Sequence, residues 1–157
     1  MTVDLGCGAH KRGDIGIDRV PGPGVDHVLT LGFDPLPFPD ASVAEFFAYD
    51  LLEHIPVSVW ECAQGRWVPF YPRIFLLREI WRCLEPGGRF TSQTPVVLPA
   101  WAQDPTHEAP PWVEETWDYF CGRQPVAAQY GIDFAFRLVE RVRVGTHLRV
   151  VVVKPGP

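Results

Sequence analysis

The segment Asp4-Leu5-Gly6-Cys7-Gly8 follows directly on the apolar run Thr2-Val3 and is succeeded by Ile15-Gly16-Ile17-Asp18. Glycines at a strand end let a ligand approach the backbone where a Cβ would intrude. A carboxylate such as Asp18, at the end of a second strand, has the acceptor capacity for both hydroxyl protons of a ribose. A lone GxG is a weak signal, and a tight turn beside an ordinary loop aspartate is the plain alternative. Proton transfer has three candidates: His54 in Leu52-Glu53-His54, and Asp104 and His107 in Asp104-Pro105-Thr106-His107. A histidine titrates near neutrality, which suits a general base. The same residues can also be purely structural, with Asp-Pro starting a turn and each histidine fixing its own loop.

These residues must be held by strands and turns. Thr2–Leu5 and Ile15–Asp18 read as two short strands, Val25–Leu31 as a third and Val43–Tyr49 as a fourth. The proline-dense stretch from Asp34 to Asp40 cannot be helical. Leu51 to Ile55 opens a short helix. The one strong helix is Pro72 to Leu84, with Pro72 in its first turn and Ile74, Leu77, Trp81 and Leu84 as its apolar stripe. Glu85-Pro86-Gly87-Gly88 ends it, and Arg89–Thr94 is a fifth strand. Residues 95–111 form an irregular loop and Trp112–Cys121 a short helix. Phe134–Val144 and His147–Lys154, separated by Gly145-Thr146, close the chain as an antiparallel hairpin. The expected fold is α/β: a Rossmann-like, mostly parallel sheet with a C-terminal antiparallel hairpin.

The bulk composition narrows the class. A chain of 157 residues, 46% hydrophobic and 21% charged, is one globular domain spanning 1–157, without a linker. The net charge of −5 argues against a nucleic-acid partner. Arg137, Arg141 and Arg143 alternate along a strand and read as a solvated face. Cys7, Cys62, Cys83 and Cys121 are scattered without a CxxC pair, so neither a zinc site nor a disulfide framework is expected, and no metal is assigned. No apolar run reaches the ~18 residues that would span a bilayer, so no membrane partner is expected. Asp4 and two glycines interrupt the N-terminus too early for a signal peptide. A reducing cytoplasm is the expected location.

The blocks VDLGCG, IGID, PLPFPDASV, AYDLLEHI and LLREIWRCLEPGGRF occur in this order. Together they resemble the class I S-adenosylmethionine (SAM)-dependent methyltransferases, in particular short proteins of the methyltransferase type 11 group. The resemblance covers residues 2–94 well. It extends more loosely to Gln103–His107 and Glu114–Phe120, which look like the region after strand five in some members. It implies SAM as the cofactor. Asp4, Gly6, Cys7 and Gly8 would line its methionine end, and Asp18 would hold the ribose hydroxyls. Thr30 and Leu31 would flank adenine, Asp50 and Leu51 would pass beneath the sulfonium, and His54 would stand at the mouth. Residues 95–121 would be a lid on the acceptor side, with Trp101, Trp112 and Trp117 as aromatic walls or as core. The implied activity is methyl transfer; the family acts on small molecules, lipids, proteins and nucleic acids, and a small-molecule acceptor is the expectation here.

Two departures from the family pattern bear on the site. Thr30 stands where many relatives carry an acid, and His10 stands where a further glycine is common. Lys11 can then supply a charge for the SAM carboxylate, unless it is simply solvated. Connection lengths are a third peculiarity. From Asp4 to Asp18, and again from Asp18 to Val25, there are too few residues for a crossover helix. Helices are therefore expected to be reduced or missing on one face of the sheet. A mostly parallel sheet seldom leaves a face bare. That face is expected to be covered by self-association, by the lid or by a partner protein.

Three rival functions fit parts of this pattern. A SAM-binding protein without transfer activity is compatible with the reduced helices. An NAD-type Rossmann oxidoreductase calls for a third glycine and a helix after the loop, and both are lacking. A bare interaction scaffold calls for no SAM binding at all.

Overall fold

In the computed structural model, which describes residues 1–156 (98 and 100 by backbone alone), the strands Thr2–Leu5 (β1), Ile15–Asp18 (β2), His27–Val28 (β3) and Val43–Tyr49 (β4) lie parallel. Two antiparallel strands, Val59–Ala63 (β5) and Arg66–Phe70 (β6), form a separate hairpin. The helix Pro72–Cys83 (α1) then leads into Leu84–Pro95 (β7), which pairs parallel with β4. After the one-turn helices Leu98–Trp101 (α2) and Thr116–Phe120 (α3), Arg137–Val144 (β8) and His147–Val153 (β9) complete the sheet. The order is β3-β2-β1-β4-β7-β9-β8. β9 is antiparallel to both neighbours, so β9 alone runs against the rest.

Local chemistry explains most boundaries. Pro72 sits at the start of α1, where its missing N–H is no loss. Leu84 leaves the helix in extended conformation, and Gly87 turns with φ +83°. The buried side of α1 is Leu76, Leu77, Ile80 and Cys83, all at most 1% exposed. This stripe is rotated from the expected one, since Ile74 and Trp81 are only partly buried. Each fully buried aliphatic contributes about 1.5–3 kcal/mol.

Several expected elements are shorter than their sequence pattern. The third strand shrinks to His27–Val28, because Asp26 turns back to accept the Gly16 N–H and Thr30 enters a turn closed by Asp34. The helix expected over Trp112–Cys121 is only Thr116–Phe120, since Val113 and Thr116 form a turn instead. The hairpin β5–β6 is an addition to the expected elements. Its two-residue turn, Gln64-Gly65, has φ of +51° and +74°, the mirror-image geometry that favours a hairpin.

Strand alternation and register put Val3, Leu5, Ile17, Phe46, Ala48, Phe90, Val150 and Val152 on one face, and all are buried there. Trp112 and Trp117 cover this face, each 1% exposed, with Trp117 against Phe90 at 6.1 Å between ring centroids. They are core residues rather than an acceptor wall. Arg141 and Arg143 are not simply solvated either: they reach Asp118 and Glu114 and tie β8 to this covering segment.

No helix lies between β1 and β3 among the described residues, so the opposite face is left to loops. Two of them cover its β1–β2 end. A Cβ on Gly16 would meet Gly24 O at 2.1 Å and Cys7 Sγ at 2.7 Å, and one on Gly24 would meet Ala9 O at 2.8 Å. Arg12 lies over the Tyr49 ring at 4.5 Å. Beyond Tyr49, Thr91 and Val151 on this face are buried, and the face is open only at its β8 edge, with Val142 and Val144 at 40% and 48% exposure. Trp112 and Trp117 of the segment expected to be a lid pack on the other side, so that segment is not what covers this face. No helix among the described residues is long and apolar enough to cross a membrane.

Candidate functional site

The chain order reverses between β1 and β4, and the carboxyl ends of these strands open onto a cavity of about 570 Å³. This is the place where open α/β sheets bind ligands, and the volume lies in the range of small-molecule sites. Gly6 just after β1, Asp18 from β2, Thr30 and Leu31 from the turn after β3, and Asp50, Leu51 and His54 after β4 all line it.

At Gly6 the backbone has φ +68°, and a Cβ there would meet Leu51 Cδ1 at 2.9 Å. Asp50 also sits in left-handed backbone, at φ +51°, with its carboxylate 3.2 Å from His147 Nε2. Aspartate is among the few non-glycine residues that adopt this conformation, and the His147 contact holds it here. Asp18 accepts the Gly8 N–H at 3.0 Å and the Val20 N–H at 3.0 Å. A carboxylate has about four acceptor positions, so two remain for a ligand.

Four of the expected cofactor contacts, Asp4, Cys7, Gly8 and Lys11, do not line the cavity. Asp4 is 1% exposed and accepts the Arg12 N–H at 2.7 Å, while its Oδ1 is buried without a partner among the described residues. Burial raises its carboxyl above the ordinary range, against the Arg12 N–H and guanidinium. Cys7 is buried with Sγ 3.4 Å from Gly24 O, and burial, then the charges of Asp4 and Asp18, raise its thiol. Gly8 spends its N–H on Asp18. Lys11 is bound to Asp26 at 2.6 Å. The cation on the wall is Arg19, which sequence reasoning passed over; its position directly after the strand-ending acid was the available signal.

From the segment 95–121, Thr106 and Glu108 line the cavity, whereas Asp104 and His107 do not. Asp104 is held below its usual range by the Thr106 hydroxyl and N–H. The Thr106 hydroxyl stands 3.0 Å from His54 Nδ1, and His107 packs edge-on against His54 with ring centroids 4.7 Å apart. Beneath them Glu53 is 1% exposed, and neither carboxylate oxygen has a partner among the described residues. Burial, reinforced by Asp50, pushes its carboxyl up to about 8. Arg73 is close by, but its guanidinium serves the carbonyls of Ile55, Glu108 and Pro110.

No family model matches the sequence, and no curated protein matches it. Solved structures do. A SAM-dependent methyltransferase from Archaeoglobus fulgidus aligns over 98% of this chain and 85% of its own, with TM-score 0.63 and 14% identity. The fold is that of the class I SAM-dependent methyltransferases. A chain in the complex between the Haloferax volcanii Trm112 methyltransferase activator and a methyltransferase aligns over 99% of this chain and 82% of its own, with TM-score 0.60 and 14% identity. The Burkholderia thailandensis 1,6-didemethyltoxoflavin-N1-methyltransferase, solved with S-adenosylhomocysteine (SAH), aligns over 98% and 70%, with TM-score 0.56 and 15% identity.

Proposed function

We propose that the chain is a SAM-dependent methyltransferase acting on a small-molecule acceptor in the cytoplasm. One observation carries the reading: Gly6, Asp18 and the Asp50–His54 segment, far apart in sequence, wall a single cavity at the reversal point of this fold. Bound SAM would supply an activated methyl group for in-line displacement. Asp18 keeps two acceptor positions for ribose hydroxyls, and Gly6 leaves the wall flat beside Leu51. Leu29, Leu31, Phe33 and Ile55 give apolar surface for a purine, with Thr30 at its edge. The chain's main task is then to align donor and acceptor.

The acceptor side belongs to His54 and the Thr106–Glu108 stretch of the lid. Asp104 and His107 act from behind, through the Thr106 hydroxyl and the His54 ring. Incubation with methyl-labelled SAM and a panel of small-molecule acceptors tests this. Label transfer to one class supports the reading, and its dependence on His54 locates the acceptor side. The position of Asp104 and His107 behind the wall also favours a second reading, SAM or SAH binding without transfer. Tight binding with no label on any acceptor selects it.

We further propose that a second copy or a partner protein seats on the open face around Val142 and Val144. The activator complex among the structural neighbours supports a protein partner for this fold. Val142→Lys is expected to leave the fold intact and to abolish any dimer seen by sedimentation. A wild-type chain that stays monomeric at high concentration, and pulls down no partner, contradicts it.

A further inference from the structure

Glu53, His54 and His107 each offer a ligand atom, and the three atoms lie within 4.8 Å of one another. Two of these residues are neighbours in sequence, and the third arrives from the lid. The adjacent pair comes from the single 3₁₀ turn Leu52–His54 after β4. His107 is brought over it because the Glu108 N–H donates to Glu53 O at 2.8 Å.

The hydrogen bonds fix which nitrogen each imidazole presents. The Thr106 hydroxyl donates to Asp104 Oδ1 at 2.7 Å, so it accepts from His54 Nδ1–H at 3.0 Å. The His107 Nδ1 faces the carbonyl of Trp101 at 2.7 Å, which can only accept, so that nitrogen also carries its proton. Each ring is left with a lone pair on Nε2, and that of His107 has the Asp104 carboxylate 3.8 Å away. An imidazole whose other N–H is bound to a carbonyl or a hydroxyl–carboxylate pair has the outer-shell arrangement of a metal-ligating histidine.

Glu53 is the independent observation. Its side chain is 1% exposed and both oxygens lack a partner among the described residues. A carboxylate buried this way is strongly unfavourable unless a cation or hydrogen-bond donors meet it. Arg73 gives three of its five N–H donors to carbonyls and acts on Glu53 through its charge alone, with no hydrogen bond to either oxygen.

We propose that Glu53, His54 and His107 form a binding site for one divalent transition-metal ion, with zinc as the fitting example. Two imidazoles and one carboxylate are a donor set that zinc takes with a fourth position open. His54 and Thr106 line the cavity, so the open position adjoins it. The site does not depend on SAM binding.

The test is titration of chelator-treated protein with Zn²⁺ against a colorimetric competitor, with Co²⁺ absorption as a second readout of ligand geometry. The wild type is expected to take up one equivalent and to give the visible bands of a low-coordinate cobalt site. Glu53→Gln and His107→Asn are each expected to lose that equivalent. Thr106→Val, which removes only the support of His54, should weaken it about 10- to 100-fold. Cys62→Ser, at the exposed thiol, should change nothing. Absence of a stoichiometric equivalent in the wild type, or its retention in folded Glu53→Gln and His107→Asn, overturns the proposal. Circular dichroism of each variant establishes that it is folded, and SAH titration of the same samples reports the cofactor site separately.

Discussion

The backbone N–H of Gly8 donates to the carboxylate of Asp18 at 3.0 Å, joining the loop after β1 to the end of β2. The glycine loop and the acid are therefore one unit, not two separate ligand contacts. With no helix after Gly8 to hold the loop, Asp18 does so, aided by the close packing of Cys7 and Gly24 over Gly16. The same residue lines the cavity, so the ribose contact proposed for it would fall on the side chain that also sets the loop geometry.

The two motif glycines should differ in their tolerance of a side chain. Both have left-handed backbone, where an L-residue costs about 1–2 kcal/mol. A Cβ at Gly6 also meets Leu51 Cδ1 at 2.9 Å, while one at Gly8 meets nothing within 4 Å. In urea unfolding, Gly6→Ala is expected to lose more stability than Gly8→Ala, and only Gly6→Ala should alter the cavity wall. Equal losses would contradict this reading of the loop.

Glu79 pins the proline-rich segment before β4. It accepts from Arg82 Nε and Nη2 at 2.9 and 2.7 Å and from the Leu36 N–H at 3.0 Å. The Arg82 hydrogen bonds hold its carboxyl below the ordinary value of 4.5, against partial burial. A depressed acid adds stability that is present above the unfolded pKa and fades as pH falls through the folded one. Glu79→Gln should therefore cost about 1.5–3 kcal/mol at neutral pH. The gap between variant and wild type should narrow below pH 4.5 in denaturant melts across pH. A gap that stays constant with pH would contradict this.

How the segment 112–121 is held can be read at Arg141. It donates to Glu114 O at 2.6 Å and to Asp118 at 3.1 Å, partly shielded from solvent. Arg143 makes a two-pronged contact with Glu114 but is more exposed. Hydrogen exchange over residues 112–121 should accelerate clearly in Arg141→Ala. It should change little in Arg143→Ala, since exposed pairs contribute about 0–1 kcal/mol. Equal acceleration in both would put the anchoring on charge alone.

The parallel strands, α1 and the closing hairpin were legible because periodicity and turn residues act over a few positions. Connection lengths alone foretold the missing helices, since a crossover helix has a minimum length. Illegible were features set by tertiary contact. Lys11 reads as free until Asp26 is seen beside it. Trp112 and Trp117 read equally as pocket walls or as core until Phe90 is seen beneath them. The β5–β6 hairpin had a local signal in Gln64-Gly65 but a weaker one than Asn-Gly. The approach of His107 to Glu53 and His54 had none, because some fifty residues of sequence separate them.

Calorimetric titration with SAM and SAH tests the central claim most directly, using wild type, Asp18→Ala and Lys11→Ala. Hydrogen bonds to a charged group contribute about 1.5–3 kcal/mol, so Asp18→Ala is expected to weaken binding roughly 10- to 150-fold. Lys11→Ala, which alters a residue off the wall and bound to Asp26, should bind like wild type. No binding by the wild type, or equal binding by wild type and Asp18→Ala, would contradict the assignment of this cavity to SAM.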